Sequence, residues 1–149
     1  MIKIICPGKI KEQYLKEAIS EYQKRLSKYT KLEMVEIEDE PNKEKALTIE
    51  AEKIKKHIKE NDYIITLEIE GKKISSEELA NLIDKTLITN SNIVFIIGGS
   101  YGLDNSIKAR SNYHLSFSNL TFPHQLFRVI LLEQIYRSFK IINNESYHK

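Results

Sequence analysis

Three groups of residues in this sequence have the types and spacing to do chemistry. The first is Gly98-Gly99-Ser100-Tyr101-Gly102, placed directly after the apolar run Ile93–Ile97. Glycines behind a buried strand let main-chain N–H groups approach a ligand closely. In open parallel sheets, ligands bind beyond the carboxyl ends of the strands. The pentapeptide lacks the Gly-Lys-Ser/Thr ending of a P-loop and the spacing of a dinucleotide fingerprint, and no serine nucleophile is expected at Ser100. A tight strand-to-helix turn is the competing reading. The second group is Phe117-Ser118-Asn119-Leu120-Thr121-Phe122, ahead of Pro123-His124. It offers hydroxyls, an amide and main-chain groups between a strand and a long helix, and a capping turn would use the same residues. The third is Tyr147-His148-Lys149, with Arg128 and Arg137 upstream. Those two arginines are nine residues apart, which puts them on opposite sides of a helix. One is expected to face a site and the other a subunit contact.

Other chemistries find little support. His57, His114, His124 and His148 are scattered and Cys6 is the only cysteine, so no metal site and no disulfide framework is expected. Cys6 reads as a core residue. The 149 residues are one domain's worth, and 41% hydrophobic with 30% charged residues excludes disorder. No signal peptide is visible, and no apolar run approaches the roughly 20 residues of a membrane span. A cytoplasmic protein is expected. The net charge is only +2, yet residues 104–149 carry Lys108, Arg110, Arg128, Arg137, Lys140 and Lys149 against Asp104, Glu133 and Glu145. This basic excess hints at an anionic partner for the C-terminal third.

The elements that must position these groups alternate from end to end. Strands are expected at Ile2–Cys6, Leu32–Ile37, Tyr63–Ile69, Ile93–Ile97 and Tyr113–Phe117. Amphipathic helices are expected at Lys11–Tyr29 and Lys43–Glu60, with a third opening at Ser75 on a capping box with Glu78. Gly71 is read as a turn, and a short helix is placed at Asp104–Arg110. Pro123 suits the first turn of a last helix running to about Phe139. The alternation predicts an α/β fold with a mainly parallel sheet and helices on both faces. The last helix is apolar on more than one side (Leu126, Phe127, Val129, Ile130, Leu131, Leu132, Ile135, Tyr136, Phe139), so a homodimer through Pro123–Phe139 is expected.

Taken in order, several motifs identify a resemblance. They are Phe95-Ile-Ile-Gly-Gly-Ser-Tyr-Gly-Leu103, Leu115-Ser-Phe-Ser-Asn-Leu-Thr-Phe-Pro-His-Gln125, Val129-Ile-Leu-Leu-Glu-Gln-Ile-Tyr-Arg137 and Tyr147-His-Lys149. Thr66-Leu-Glu-Ile-Glu-Gly-Lys72 and Ile5-Cys-Pro-Gly-Lys9 agree. Essentially the whole chain resembles the ribosomal RNA large subunit methyltransferase H family, minimal members of the SPOUT superfamily. The resemblance implies a parallel α/β fold whose C-terminal segment threads a trefoil knot, a homodimer, and S-adenosylmethionine as methyl donor. It implies methylation at N3 of a pseudouridine in 23S rRNA on the assembled ribosome.

The family's cofactor positions fall on Leu67, Gly98, Phe117, Ser118, Asn119, Leu120, Thr121 and Phe122. An acidic ribose partner is not obvious, and Glu68 and Glu70 stay open for it. Arg137, Tyr147 and His148 are implied near the reacting base: Arg137 for charge stabilisation, His148 as general base, Tyr147 for stacking or hydrogen bonding. Arg128 and Lys149 are assigned to RNA. Some members carry Arg where this chain has Lys149, and an ammonium cannot make the planar paired contact to phosphate. Three other readings compete: a transfer-RNA enzyme of the same superfamily, a non-enzymatic RNA-binding module, and a nucleotide-binding regulatory domain.

Overall fold

Five runs of β-branched and apolar residues pair side by side in one direction. The computed structural model describes residues 1–149, with β1 (Ile2–Pro7), α1 (Gln13–Leu26), β2 (Leu32–Ile37), α2 (Lys43–Lys55), β3 (Tyr63–Lys73), α3 (Ser76–Thr89), β4 (Ile93–Ile97), α4 (Asn105–Arg110), β5 (Tyr113–Ser116) and α5 (His124–Ile142). All strand pairs are parallel, in the order β2-β1-β4-β3-β5. β4 lies at the centre with every residue buried, as a continuous apolar run demands.

Side-chain alternation splits the core into two layers. Ile2, Ile4, Ile65 and Phe95 point to one face and pack with Leu26 of α1, Leu79 and Ile83 of α3, and Leu131 and Ile135 of α5. Ile5, Ile64, Val94 and Ile96 point to the other and pack with Ala51 and Ile54 of α2 and Ile107 of α4. The α/β fold with helices on both faces follows the sequence expectation.

Several boundaries differ from that expectation; α1 is shorter at both ends than Lys11–Tyr29 and β5 stops one residue before Phe117. α2 stops at Lys55, where the His57 and Ile58 amides turn back to the Ile54 and Lys55 carbonyls, and Asp62 Oδ2 accepts the Lys59 amide at 2.8 Å in the turn that follows. α5 runs past Phe139 to Ile142, where Asn143 Nδ2 donates to the Phe139 carbonyl and Asn144 takes a left-handed φ of 54°. Gly71 lies inside β3 instead of ending it. Against β5, both Leu67 and Lys72 align with Leu115, so Glu68–Gly71 form a bulge between two stretches of one strand. A Cβ on Gly71 would sit 2.8 Å from the His114 carbonyl, which explains the glycine.

The breadth of the apolar surface on α5 also has a cause within the chain. α5 lies on the sheet between α1 and α3. Tyr22 of α1 and Tyr29 of the turn that follows it meet Tyr136 edge-on, each with centroids 6.2 Å apart, and Tyr29 stacks on Phe139. Most of the helix is therefore covered without a second subunit. The residues left at its open end are Leu126 and the neighbouring Phe122 and Leu120, all exposed.

Candidate active site

The carboxyl ends of β3, β4 and β5 and the start of α5 enclose a cleft of about 590 Å³. That volume lies within the roughly 300–1,000 Å³ of sites that hold ligands of cofactor size. Leu67 and the Glu68–Gly71 bulge supply one wall, Ile97–Leu103 the second, and Leu115–Phe122 the third, with Pro123, His124 and Phe127 at the back. Of the eight expected cofactor positions, Leu67, Gly98, Phe117, Ser118, Leu120, Thr121 and Phe122 line the cleft. Asn119 lies in the same loop, exposed and outside the lining.

The loop after β4 is a tight turn as well as a wall. Gly102 donates its amide to the Gly99 carbonyl at 3.1 Å and has φ +84°. A Cβ on Gly98 would lie 2.8 Å from the Gly102 carbonyl carbon. The glycine at 98 is thus required by the loop's own backbone, independently of any ligand. Gly98-x-Ser100-x-Gly102 does have the spacing of a nucleophile elbow. Ser100 is exposed and hydrogen-bonds to no imidazole or carboxylate. The missing base rules out a serine nucleophile, and the spacing does not.

The third wall is held by its own hydroxyls and rings. Ser118 Oγ accepts the Leu120 amide at 2.9 Å, and Ser116 Oγ donates to the Ser118 carbonyl. Phe117 and Phe122 both pack on Phe127. At the back of the cleft, His124 Nδ1 is buried without a hydrogen-bond partner. Burial and the nearby Arg128 guanidinium hold the ring below its ordinary pKa, with Asp39 opposing.

One wall carries a polar network. Thr66 Oγ1, fully buried, lies 2.6 Å from Glu68 Oε2, 2.8 Å from Ser111 Oγ and 3.3 Å from His114 Nδ1. His114 Nδ1 also bonds to Glu68 Oε2, and Lys108 Nζ is 4.0 Å from Glu68 Oε1. Burial alone would raise the Glu68 carboxyl. Hydrogen bonds from Thr66 and His114, with the charges of His114 and Lys108, outweigh it and hold the group below the usual carboxylate range.

The C-terminal residues gather at the other end of α5. Glu133 takes two hydrogen bonds from Arg137 at 3.1 Å and one from the Tyr147 hydroxyl at 2.6 Å. The Tyr147 ring packs beneath the Arg137 guanidinium. Arg137 Nη1 lies 3.0 Å from His148 Nδ1, and His148 Nε2 lies 2.7 Å from Glu77 Oε1. Arginine can only donate, so Nδ1 accepts and the ring proton sits on Nε2, directed at Glu77. The hydrogen bond to Glu133 pushes the Tyr147 hydroxyl up to about 12, aided by burial. Arg137, Tyr147 and His148 therefore form one cluster, but the cleft is not beside it. From His124 to Arg137 the helix spans about 20 Å at 1.5 Å per residue. Lys149 is exposed beyond the cluster.

Arg128 does not face RNA. Its side chain is 0% exposed, with Nη1 2.7 Å from Glu36 Oε2 and Nη2 2.6 Å and 2.8 Å from the Pro7 and Gly8 carbonyls. The assignment of Arg128 to RNA binding is corrected to a tie between α5 and the end of β1. Arg128 and Arg137 do lie on different sides of α5, as their spacing predicts.

Comparison with known proteins agrees with this architecture. The family described as Predicted SPOUT methyltransferase matches residues 1–148. The chain is 54% identical, with both chains covered in full, to the ribosomal RNA large subunit methyltransferase H of Caldicellulosiruptor saccharolyticus. It is 57% identical to the Clostridium botulinum (Alaska strain) protein of the same name, over 99% of each chain. The chain belongs to the ribosomal RNA large subunit methyltransferase H family of SPOUT methyltransferases.

A probable methylase family protein from Haemophilus influenzae shares the fold at a TM-score of 0.56, with 16% identity over 99% of this chain and 70% of the other. No helix is long and apolar enough to cross a membrane, and no group of three or more His, Cys, Asp or Glu could hold a metal ion. Against the methyltransferase H motifs, sequence reasoning missed His124, Lys108 and the Glu68–His114 pair. Pro123-His124 was visible as a motif, whereas the Glu68–His114 pair depends on a bulge that periodicity does not register.

Proposed function

We propose that this chain is an S-adenosylmethionine-dependent methyltransferase that modifies N3 of a pseudouridine in 23S rRNA on the assembled ribosome. The observation that carries the reading is the cleft, where seven of the eight cofactor positions implied by the family converge from three separate segments. The cleft also fits such a group physically. It is large enough, it has apolar walls in Leu67, Leu120 and Phe122, and it presents an anchored carboxylate, with a buried, unpartnered imidazole nitrogen of His124 behind it.

When bound, S-adenosylmethionine supplies a methyl group activated by its sulfonium. The chain's own task is alignment, because an in-line transfer gains much of its rate from positioning. Leu67, Leu120 and Phe122 shield an apolar ring, and main-chain groups of Phe117–Phe122 hold its edges. N3 of pseudouridine lies between two carbonyls, and negative charge develops there as its proton leaves. Arg137, paired with Glu133 through two bonds, supplies the cation that meets that charge. Tyr147 keeps its proton at neutral pH and acts as a donor or a stacking surface. The lone pair available on His148 is at Nδ1, so a role as general base requires Arg137 to shift toward the substrate. Lys149 contacts phosphate as a point charge.

The 20 Å between cleft and tail cluster supports a homodimer in which the tail of one protomer completes the cleft of its partner. The exposed Leu120, Phe122 and Leu126 beside the cleft are the surface such a contact would cover. The family also implies the trefoil knot and a cytoplasmic setting.

Methyl transfer to assembled ribosomes, free ribosomal RNA and transfer RNA, followed by mass mapping of the product, tests the reading. Transfer to ribosomes at one N3 position is expected, and methylation of transfer RNA alone would overturn it. The shared site has its own test. A protein lacking Tyr147–Lys149 and a cleft-disrupted variant should each be inactive and regain activity when mixed. A monodisperse monomer at micromolar concentration would refute the dimer.

A further inference from the structure

Glu68 is held as a receptor group is held. One carboxylate oxygen, Oε2, is saturated by Thr66 Oγ1 and His114 Nδ1. The other, Oε1, accepts no hydrogen bond within the chain and has only Lys108 Nζ at 4.0 Å. The bulge in β3 turns this residue into the wall of the cleft, and its side chain is 15% exposed. Glu70, two residues on, is exposed and has no hydrogen-bond or ion-pair partner. Ordering a free glutamate on ligand binding costs side-chain entropy. For Glu68 the fold has already met that cost.

An ionised carboxylate only accepts, so whatever meets Oε1 must donate. Lys108 beside it disfavours a second cation, which argues against an ammonium and for a neutral donor; with the edges of the adenine held by main-chain groups of Phe117–Phe122, that donor is a hydroxyl. The only hydroxyls of S-adenosylmethionine are on its ribose. We infer that Glu68 Oε1 accepts a hydrogen bond from a ribose hydroxyl of the cofactor, with Thr66 and His114 positioning the carboxylate. This inference rests on the cofactor reading above and assigns the acidic ribose partner that the sequence left open between Glu68 and Glu70.

Calorimetric titration with S-adenosylhomocysteine and its 2′-deoxy, 3′-deoxy and desamino analogues tests it without any turnover. In the unmodified protein, removing the bonded hydroxyl should weaken binding roughly tenfold to a hundredfold, the range of one hydrogen bond to a charged acceptor. In Glu68→Gln, the parent ligand should weaken by a similar factor and the deoxy analogue should bind no worse than the parent. His114→Ala is an exposed substitution that keeps the carboxylate and removes one of its anchors. It should reduce the hydroxyl's contribution severalfold, and it stands in for Glu68→Gln if that variant does not fold. Glu33→Gln, exposed on β2 and outside the cleft, should match the unmodified protein. Full hydroxyl discrimination retained in Glu68→Gln or His114→Ala would overturn the inference, as would a Glu68→Gln effect that tracks the amino group. If the unmodified protein binds neither S-adenosylmethionine nor S-adenosylhomocysteine at millimolar concentration, the cofactor reading fails and this assignment falls with it.

Discussion

Arg128→Met is expected to be among the most destabilising single substitutions in this protein. The guanidinium is completely buried and makes three hydrogen bonds, two of them to main-chain carbonyls of Pro7 and Gly8, which are themselves buried. Replacing both members of a buried ion pair by apolar groups can be neutral. That escape is closed here, because the acceptors on Pro7 and Gly8 belong to the backbone. Each carbonyl left without a donor costs about 1–3 kcal/mol. The Glu36 carboxylate is partly exposed and regains water, so it adds little. The sum is about 3–5 kcal/mol, typical of a buried charge network broken on one side. At about 2–4 °C per kcal/mol for a chain of this size, the melting temperature should fall by roughly 6–20 °C. Arg128→Lys keeps the charge but cannot fork across three acceptors, and should lose about half as much. Denaturant unfolding of both proteins at the same concentration measures the loss, because any association then enters the two under equal conditions. Arg128→Met within about 0.5 kcal/mol of the unmodified protein, the scatter of ordinary surface substitutions, would refute the tie between α5 and β1.

Three further outcomes follow from the same geometry. Gly98→Ala places a Cβ 2.8 Å from the Gly102 carbonyl carbon, so the loop must move. It should lose about 1–3 kcal/mol together with most of its affinity for S-adenosylhomocysteine, and unchanged affinity in calorimetry would show that the loop is not a wall of the site. His124 has a pKa depressed in the folded protein, so the folded state binds fewer protons than the unfolded one below about pH 6.5. Stability should therefore drop as pH falls from 7.5 to 5.5, and denaturant midpoints for His124→Asn should drop less; parallel profiles would exclude His124 as the cause. Burial pushes the Cys6 thiol up to about 12, against the pull of Arg128 and with support from Glu36 and Asp39. Iodoacetamide at pH 8 should leave the folded protein unmodified and label it once denaturant is added, as read by intact mass.

Much of the fold was legible because it depends on local pattern. The unbroken apolar Ile93–Ile97 marked the central strand, and Ser75 with Glu78 marked the start of α3, where both bonds of the capping box form. What escaped depends on contacts far apart in sequence. Arg128 looks like any helix arginine until the carbonyls of Pro7 and Gly8, more than a hundred residues away, are brought beneath it. Gly71 signalled a change of direction, but a turn and a bulge within a strand use the same residue. The difference lies in whether Lys72 finds Leu115 again on β5. The apolar breadth of α5 signalled burial without saying by what, and α1 and α3 provide most of it. For the candidate site, the glycine loop and Phe117–Phe122 were readable as motifs. The separation of the tail from the cleft was not, because nothing in the spacing of α5 says which way its two ends face.

Helix α5 behaves as a ruler. Arg128 fixes its phase near one end, and Glu133 with Arg137 sets the tail near the other. A single residue inserted between Arg128 and Glu133 would turn the far end by about 100° and advance it by about 1.5 Å. The Pro7 and Gly8 carbonyls would still hold the near end, so Tyr147 and His148 would swing to another side of the molecule. The length of this helix between Arg128 and Glu133 is thus part of how the tail is aimed.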